Sequence, residues 1–199
     1  MYHSNKISDL ESWSGIGSTL NATIRLRREL PHVLRKLEVQ TILDIPCGDH
    51  HWMKEVDLSN TNYIGADLVK GVIVDAARKH TSPRKRFVQM DLLEDSLPKV
   101  DLILCRDLIV HLSINDALRA FRNIHASRSR WLMITTFPNI LQNQNTHSGR
   151  WRPVNLCRDP FCFPKPDQFL DDQPSETVDP RYAKYIGLWP IAALPSFTL

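Results

Sequence analysis

Residues 41–52 read TILDIPCGDHHW, and this stretch decides the fold. Thr41, Ile42, Leu43 and Ile45 form an apolar run of strand length. Pro46 lacks the N–H that a sheet ladder needs, so the strand ends there. Gly48 permits a backbone conformation or a close approach that a side chain would forbid. Asp49 is placed to accept from the free N–H groups of a helix that follows. In an open α/β sheet, ligands sit just past the carboxyl ends of the strands, which brings the Asp44 carboxylate near a ligand edge. A strand, glycine turn and helix also occur in α/β domains that bind nothing there.

The acidic residues downstream favour the binding reading. NYIGAD reads as a second strand, Tyr63–Ala66, ending at Asp67. Asp67 lies 23 positions after Asp44, close to the spacing of about 20 that sets a carboxylate on a ribose hydroxyl pair. A third strand, RFVQMD, ends at Asp91. Successive strands that each finish near an aspartate suit a nucleoside lying across the strand ends.

The segments ILDIPCGDHHWM, YIGADLV, FVQMDLL, DLILCRDLIVHLS and WLMITTF stand in the order and spacing of a class I S-adenosylmethionine-dependent methyltransferase. The resemblance runs roughly from Glu11 to Trp189 and is nearest to a branch whose first motif reads Asp-x-Pro-Cys-Gly-Asp. It implies a Rossmann-like three-layer sandwich in one domain over residues 1–199. The implied sheet is mostly parallel and seven-stranded, in the order 3-2-1-4-5-7-6, with the last strand antiparallel. It also implies S-adenosylmethionine as cosubstrate, held by Asp44, Pro46, Gly48, Asp49, Asp67, Leu68, Asp91, Leu92, Cys105 and Arg106. The chain departs from the common Gly-x-Gly-x-Gly motif, keeping only Gly48. That argues against a dinucleotide, whose pyrophosphate needs close backbone approach.

Composition is compatible with this. At 199 residues and 42% hydrophobic, the chain is long enough for a real core. A charged fraction of 24% does not indicate disorder. A net charge of +3 permits an anionic substrate without requiring nucleic acid. No apolar run is long enough to span a bilayer, and the N-terminus lacks a signal-peptide core. Cys47, Cys105, Cys157 and Cys162 show no paired framework, which suits reduced thiols and a cytoplasmic location.

Residues 1–40 read as a helical cap or lid. Its Ser12–Leu20 stretch, SWSGIGSTL, is a small-residue turn leading to a helix capped by Ser18 or Thr19. It is either a lid over the cofactor's carboxylate end or an ordinary connection. Helices are expected over Leu20–Leu30 and His32–Leu37, split at Pro31. Their arginines form a solvated face, from which Arg25 is a candidate to reach the cofactor. His51–Val56 reads as a short helix. His50 and His51 beside Cys47 and Asp49 invite a metal, but no second cluster has ligand spacing, so none is expected. Trp52 and Met53 suit a pocket wall or the sheet.

Asp101–Cys105 reads as the fourth strand, and RDLIVHLS at its end is where methyl and acceptor should meet. Asp107 and His111 stand four apart and would share a face of one helical turn. A histidine oriented by that aspartate could take a proton from a hydroxyl; the alternative is a structural histidine that holds a loop. Ser113–Ala126 is an amphipathic helix with Ser113 and Asp116 as a capping box. Trp131–Phe137 reads as the fifth strand, Asp167–Asp171 and Lys184–Ala192 as the last two. Eight of the thirteen prolines fall after residue 148, so this end is turn-rich. Residues 139–183 read as an ordered excursion that builds a substrate pocket. Within it, Arg150, Arg152, Arg158 and Lys165 either clamp an anion or form a solvated rim.

The expected activity is methyl transfer to a hydroxyl, carboxylate or other nucleophile of a small molecule or glycan. CRDL replaces the Asn/Asp-Pro-Pro-Tyr typical of nucleobase amine methylation, so nucleic acid is a disfavoured partner. Rival readings are a non-catalytic cofactor-binding relative acting as a subunit or regulator, and an NAD-dependent oxidoreductase.

Overall fold

The computed structural model describes residues 11–173 and 179–197. The first ten residues of the expected cap, residues 174–178 of the excursion and the last two residues lie outside that span. Seven strands form one sheet: β1 (Thr41–Asp44), β2 (Asn62–Asp67), β3 (Lys85–Gln89), β4 (Leu102–Cys105), β5 (Trp131–Thr136), β6 (Gln168–Asp171) and β7 (Tyr185–Pro190). Their order is β3-β2-β1-β4-β5-β7-β6, as the resemblance implies. β1 to β5 run parallel, and β7 is antiparallel to both β5 and β6. The order reverses between β1 and β4, which opens the crevice where ligands bind in such sheets. Asp44 stands opposite Gly65 of β2 and Leu104 of β4, at the carboxyl tip of that crevice.

Alternating residues of each strand feed opposite cores. On one face Ile42, Leu102 and Met133 pack with Leu26, Leu30, Val33 and Leu34 of α1 (Ile24–Lys36). On the other, Leu43, Ile103 and Leu132 pack with Ala117, Phe121 and Ile124 of α3 (Ile114–Ala126). A third helix, α2 (Lys70–His80), flanks β3 with Ile73 and Ala76 inward. Three layers result.

Several local features differ from the expectations. Pro31 lies inside a continuous α1 rather than splitting it. An internal proline costs about 3 kcal/mol. Burial of Leu30, Val33 and Leu34 on either side outweighs that, at about 1.5–3 kcal/mol for each fully buried side chain. Ser18 ends a 3-10 turn, and Thr19 accepts from Ala22 N at 3.2 Å before α1 begins at Ile24. The expected helix after the first turn is a 3-10 turn, Met53–Glu55, with Trp52 and Met53 in the α1-side core. Ser113 caps α3 by accepting from Asp116 N at 3.1 Å, but Ser148 Oγ takes the Ser113 N–H at 2.9 Å, so the box is not reciprocal.

No α-helix follows β5 among the described residues. Val154, Leu156, Phe161 and Phe163 enter the α3-side core instead. Phe161 meets Phe121 edge-on at 5.4 Å, and Phe163 meets Trp189 at 5.3 Å. The apolar half of the excursion is therefore core, because an uncovered sheet face would otherwise meet water.

Candidate cofactor cleft and acceptor edge

Three aspartates gather at the strand tips, each held differently. Asp44 ends β1 and is 2% exposed. Tyr63 of β2 donates its hydroxyl to Asp44 Oδ2 at 2.6 Å. Burial pushes the Asp44 carboxyl up to about 7, against the Tyr63 bond and the Arg106 charge. Asp67 ends β2; its Oδ2 accepts from Gly48 N at 3.1 Å and its Oδ1 from Val69 N at 2.9 Å. Beside it Leu68 and Val69 stand 59% and 54% exposed, an apolar ledge at the sheet tip. Asp91 follows β3, with Oδ1 accepting from Leu93 N at 2.8 Å. Leu92 points away from this edge, buried in the α3-side core, so its side chain does not line the cleft.

The turn after β1 is sealed by its own hydrogen bonds. Cys47 N donates to Ala66 O, Gly48 N to Asp67, Asp49 N to Ser14 Oγ, His50 N to Cys47 O and His51 N to Asp49. No N–H from Cys47 to His51 is left over for a phosphate. Gly48 has φ +53°, and a Cβ there would stand 2.1 Å from Ser14 Oγ. Pro46, half-buried, opens this turn.

Asp49 caps the turn through His51 N, but most of its bonding goes elsewhere. It accepts from Ser12 Oγ at 3.0 Å, Trp13 N at 2.8 Å and Ser14 Oγ at 3.4 Å. A strap of residues 12–18 thus lies over the glycine turn, with Trp13 and Ile16 exposed on its outer side. His51 Nε2 meets Glu11 at 2.8 Å, and His50 Nδ1 meets Tyr63 Oη at 3.1 Å. The two histidines diverge rather than converge on a metal.

The edge of β4 is a compact charge cluster. Arg106, buried against Trp52 at 5.5 Å, donates through Nε and Nη2 to both Asp172 oxygens at 2.9 and 3.0 Å. Its Nη2 also holds Gly17 O of the strap at 2.7 Å, and Nη1 lies 3.3 Å from Asp107. Lys184 Nζ bridges Asp107 and Asp172 at 2.9 and 3.0 Å. Every nitrogen of the guanidinium is engaged, so Arg106 acts on the cleft through the strap. Arg25 pairs with Asp171 at 2.5 Å on the α1 side and does not point at the cleft. Cys105 is fully buried in the α3-side core, and burial pushes its thiol and that of Cys47 well up. Both side chains are inert.

The expected Asp107–His111 pair is not formed. Asp107 has φ +56° and precedes the 3-10 turn Ile109–His111, so the two do not share a helical turn. Asp107 N donates to Thr135 Oγ1 at 2.8 Å, and its carboxylate takes Thr135 Oγ1 and Lys184. His111 is half-buried, its carbonyl accepting from Gly149 N at 2.7 Å. Among the described residues nothing hydrogen-bonds its ring. Burial lowers its pKa against the pull of Asp107, which leaves a neutral imidazole at neutral pH.

Next to it, Arg152 is drawn inward and donates to Leu112 O at 2.7 Å, while Arg150, Arg158 and Lys165 are exposed. Trp151 stays outside, its ring 5.9 Å from Phe137 and 6.3 Å from Tyr182. Asp172, Lys184, Tyr63 and the Trp151–Tyr182 pair were not singled out from sequence. The one available signal was Arg106 itself, since a buried arginine needs a carboxylate.

Residues 42–128 match the family model described as "Methyltransferase domain". The methyltransferase domain of bacterial CtHen1 aligns over 86% of this chain and 98% of that one, with TM-score 0.60 and 16% identity. Magnesium protoporphyrin IX methyltransferase from Synechocystis PCC 6803 with bound SAH aligns over 85% of both chains, with TM-score 0.58 and 14% identity. Human N-acetylserotonin methyltransferase in complex with SAM aligns over 81% of this chain and 50% of that one, with TM-score 0.57 and 12% identity. No curated protein matches the sequence. Sheet order and these likenesses define the class I S-adenosylmethionine-dependent methyltransferase fold. The part matched by the methyltransferase-domain model runs from β1 to α3 and holds Asp44, Gly48, Asp67, Asp91 and His111.

Proposed function

We propose that this protein transfers a methyl group from S-adenosylmethionine to an oxygen nucleophile, a hydroxyl or carboxylate, of a small molecule or glycan. The observation that carries the reading is Asp67. Two backbone N–H groups fix its carboxylate at the β2 tip beside the exposed Leu68 and Val69. A carboxylate next to an apolar ledge fits a ribose diol next to a flat base. The glycine turn fits a ligand without phosphate, since its N–H groups are already engaged. An NAD pyrophosphate would find no donors there.

When bound, S-adenosylmethionine supplies a methyl group already activated by a positive sulfur. The chain's part is to orient and to move a proton. Asp67 accepts from the ribose hydroxyls, and Leu68 with Asp91 borders the base. Asp44 faces the cationic methionine end, and the strap of residues 12–18 excludes water above Gly48. For a hydroxyl acceptor, His111, neutral and without a hydrogen bond at its ring among the described residues, takes the proton released; a carboxylate acceptor is already ionised and releases none. Trp151 and Tyr182 offer an aromatic wall for the apolar face of a sugar or ring. The free cysteines Cys47, Cys105, Cys157 and Cys162 suit a reducing cytoplasm.

The test is transfer of labelled methyl from S-adenosylmethionine into fractionated metabolites, glycans and proteins, with wild type and His111→Ala side by side. Label is expected in a small-molecule or glycan fraction, with turnover reduced about a hundredfold in His111→Ala and cofactor affinity kept. Label only in nucleic acid, or full turnover without His111, contradicts the reading.

A further inference from the structure

Behind the tip of β1 lies a column of buried polar groups that reaches from the cleft to α2. His50 is fully buried with φ +59°. Its ring packs on Tyr63 at 4.8 Å, His80 at 5.0 Å and Phe87 at 5.1 Å, which leaves it one orientation. Nδ1 lies 3.1 Å from Tyr63 Oη, and Tyr63 Oη lies 2.6 Å from Asp44 Oδ2. His50 Nε2 is buried with no hydrogen-bond partner. A phenol has one proton to give. The shorter contact directs it to the carboxylate, so the Tyr63 oxygen accepts from His50 Nδ1–H. That assignment leaves Nε2 as a bare lone pair, which spares the interior an orphaned N–H.

We propose that Tyr63 and His50 are positioning residues for Asp44: the ordered chain from His50 Nδ1–H through Tyr63 O–H holds the carboxylate ionised and aimed at the cleft. The cleft then takes the ammonium of the cofactor's methionine end only when Asp44 carries its charge. The inference rests on the cofactor reading above and adds the groups that set its pH dependence.

The surroundings bear on both ends of the chain. Asp44 faces Tyr63 and Asp67 of β2, Cys47 of the turn, and Cys105 and Arg106 at the end of β4. Burial raises its pKa to about 7; the Tyr63 bond and Arg106 act against that, and Asp67 acts with it. His50 faces Lys85 of β3, His80 of α2 and Lys54. Burial, then those charges, lower its pKa to about 3. The imidazole is therefore a neutral donor throughout the range in which Asp44 titrates. Without the phenol hydroxyl, burial acts on Asp44 with less opposition.

The experiment is calorimetric binding of S-adenosylhomocysteine to the full chain at a series of pH values, with wild type, Tyr63→Phe and His50→Asn. Asparagine tolerates a positive φ and keeps a side-chain donor. Wild-type affinity is expected to rise about tenfold between about pH 6 and pH 8. Tyr63→Phe is expected to move that rise upward by about one pH unit, with wild-type affinity regained at the alkaline end. His50→Asn is expected to move it less. An unmoved profile in Tyr63→Phe, or affinity lowered equally at every pH, overturns the proposal.

Carbon-13 NMR of the Asp44 carboxyl and nitrogen-15 NMR of His50 in the ligand-free wild type provide a second readout, which stands even where Tyr63→Phe fails to fold. An Asp44 carboxyl still protonated at about pH 8, or a proton gained by His50 between about pH 5 and pH 8, likewise overturns the proposal. A wild type that binds no S-adenosylhomocysteine at any pH sinks the cofactor reading instead, and the carboxyl titration still decides the positioning.

Discussion

Asp44 trades stability for a charge in the cleft. Its folded pKa of about 7 lies above the ordinary value of 3.8, so between those limits the folded state holds a proton that the unfolded chain has released. Its contribution is favourable at the acid end of that window and is lost as pH rises. Above about pH 7 the full penalty applies, on the order of 4 kcal/mol. His50 works in the opposite sense. Its pKa falls from 6.5 to about 3, so its contribution is present above 6.5 and is lost as pH falls toward 3. Asp44→Asn keeps an acceptor for Tyr63 and removes the charge. It should therefore unfold at higher temperature than wild type at about pH 8, with the gap closing toward about pH 5, and should bind no S-adenosylhomocysteine at either pH. A less stable variant at the alkaline end contradicts the account. Asp44, Asp67 and Asp91 were legible because each closes an apolar strand. Tyr63 and His50 were not, because their bond to Asp44 depends on the packing of β1 against β2, on which local spacing is silent.

Among the elements, the strap of residues 12–18 is joined to the site by side chains rather than by secondary structure. Asp49 holds three of its donors, and Arg106 holds its Gly17 carbonyl. Asp49→Ala should speed amide exchange in that segment, leave exchange in β1, β4 and α3 unchanged, and weaken S-adenosylhomocysteine several-fold. Unchanged exchange in the strap contradicts its assignment as a cover held by Asp49. The strands and α3 were legible because burial selects apolar runs of the right length and period. Asp49 was legible as a cap and misleading as one, since the sequence has no sign that residues 12–14 return to it. The Asp107–His111 pair failed for a similar reason. Helical spacing assumes helical dihedrals, and Thr135 on β5 holds Asp107 in a left-handed conformation instead.

Across the whole molecule, the Arg106–Asp172–Lys184–Asp107 cluster ties the tip of β4 to the far end of the sheet, where β6 ends and β7 begins. Its directly bonded members are up to 77 positions apart in the chain, which is why no motif announces it. Removing Asp172 leaves a buried guanidinium and a largely buried ammonium to share Asp107 alone. Asp172→Ala should lose about 3–5 kcal/mol of stability by denaturant unfolding. The control Asp171→Ala breaks only the partly exposed pair with Arg25 and should lose about 0–1 kcal/mol. Equal losses in the two variants contradict a structural role for the cluster. The excursion after β5 shows the same limit. It reads as an ordered excursion from sequence, but only the bare sheet face explains why Phe161 and Phe163 turn inward while Trp151 remains at the rim.

The central claim is that a phosphate-free adenosine cofactor is held at the β2 tip, and calorimetric titration of the full chain tests it most directly. Wild type should bind S-adenosylhomocysteine at a single saturable site and give no heat with NAD. Asp67→Ala should weaken the first by well over tenfold, more than about 1.4 kcal/mol. Undiminished affinity in Asp67→Ala, or binding of NAD with indifference to S-adenosylhomocysteine, would contradict it.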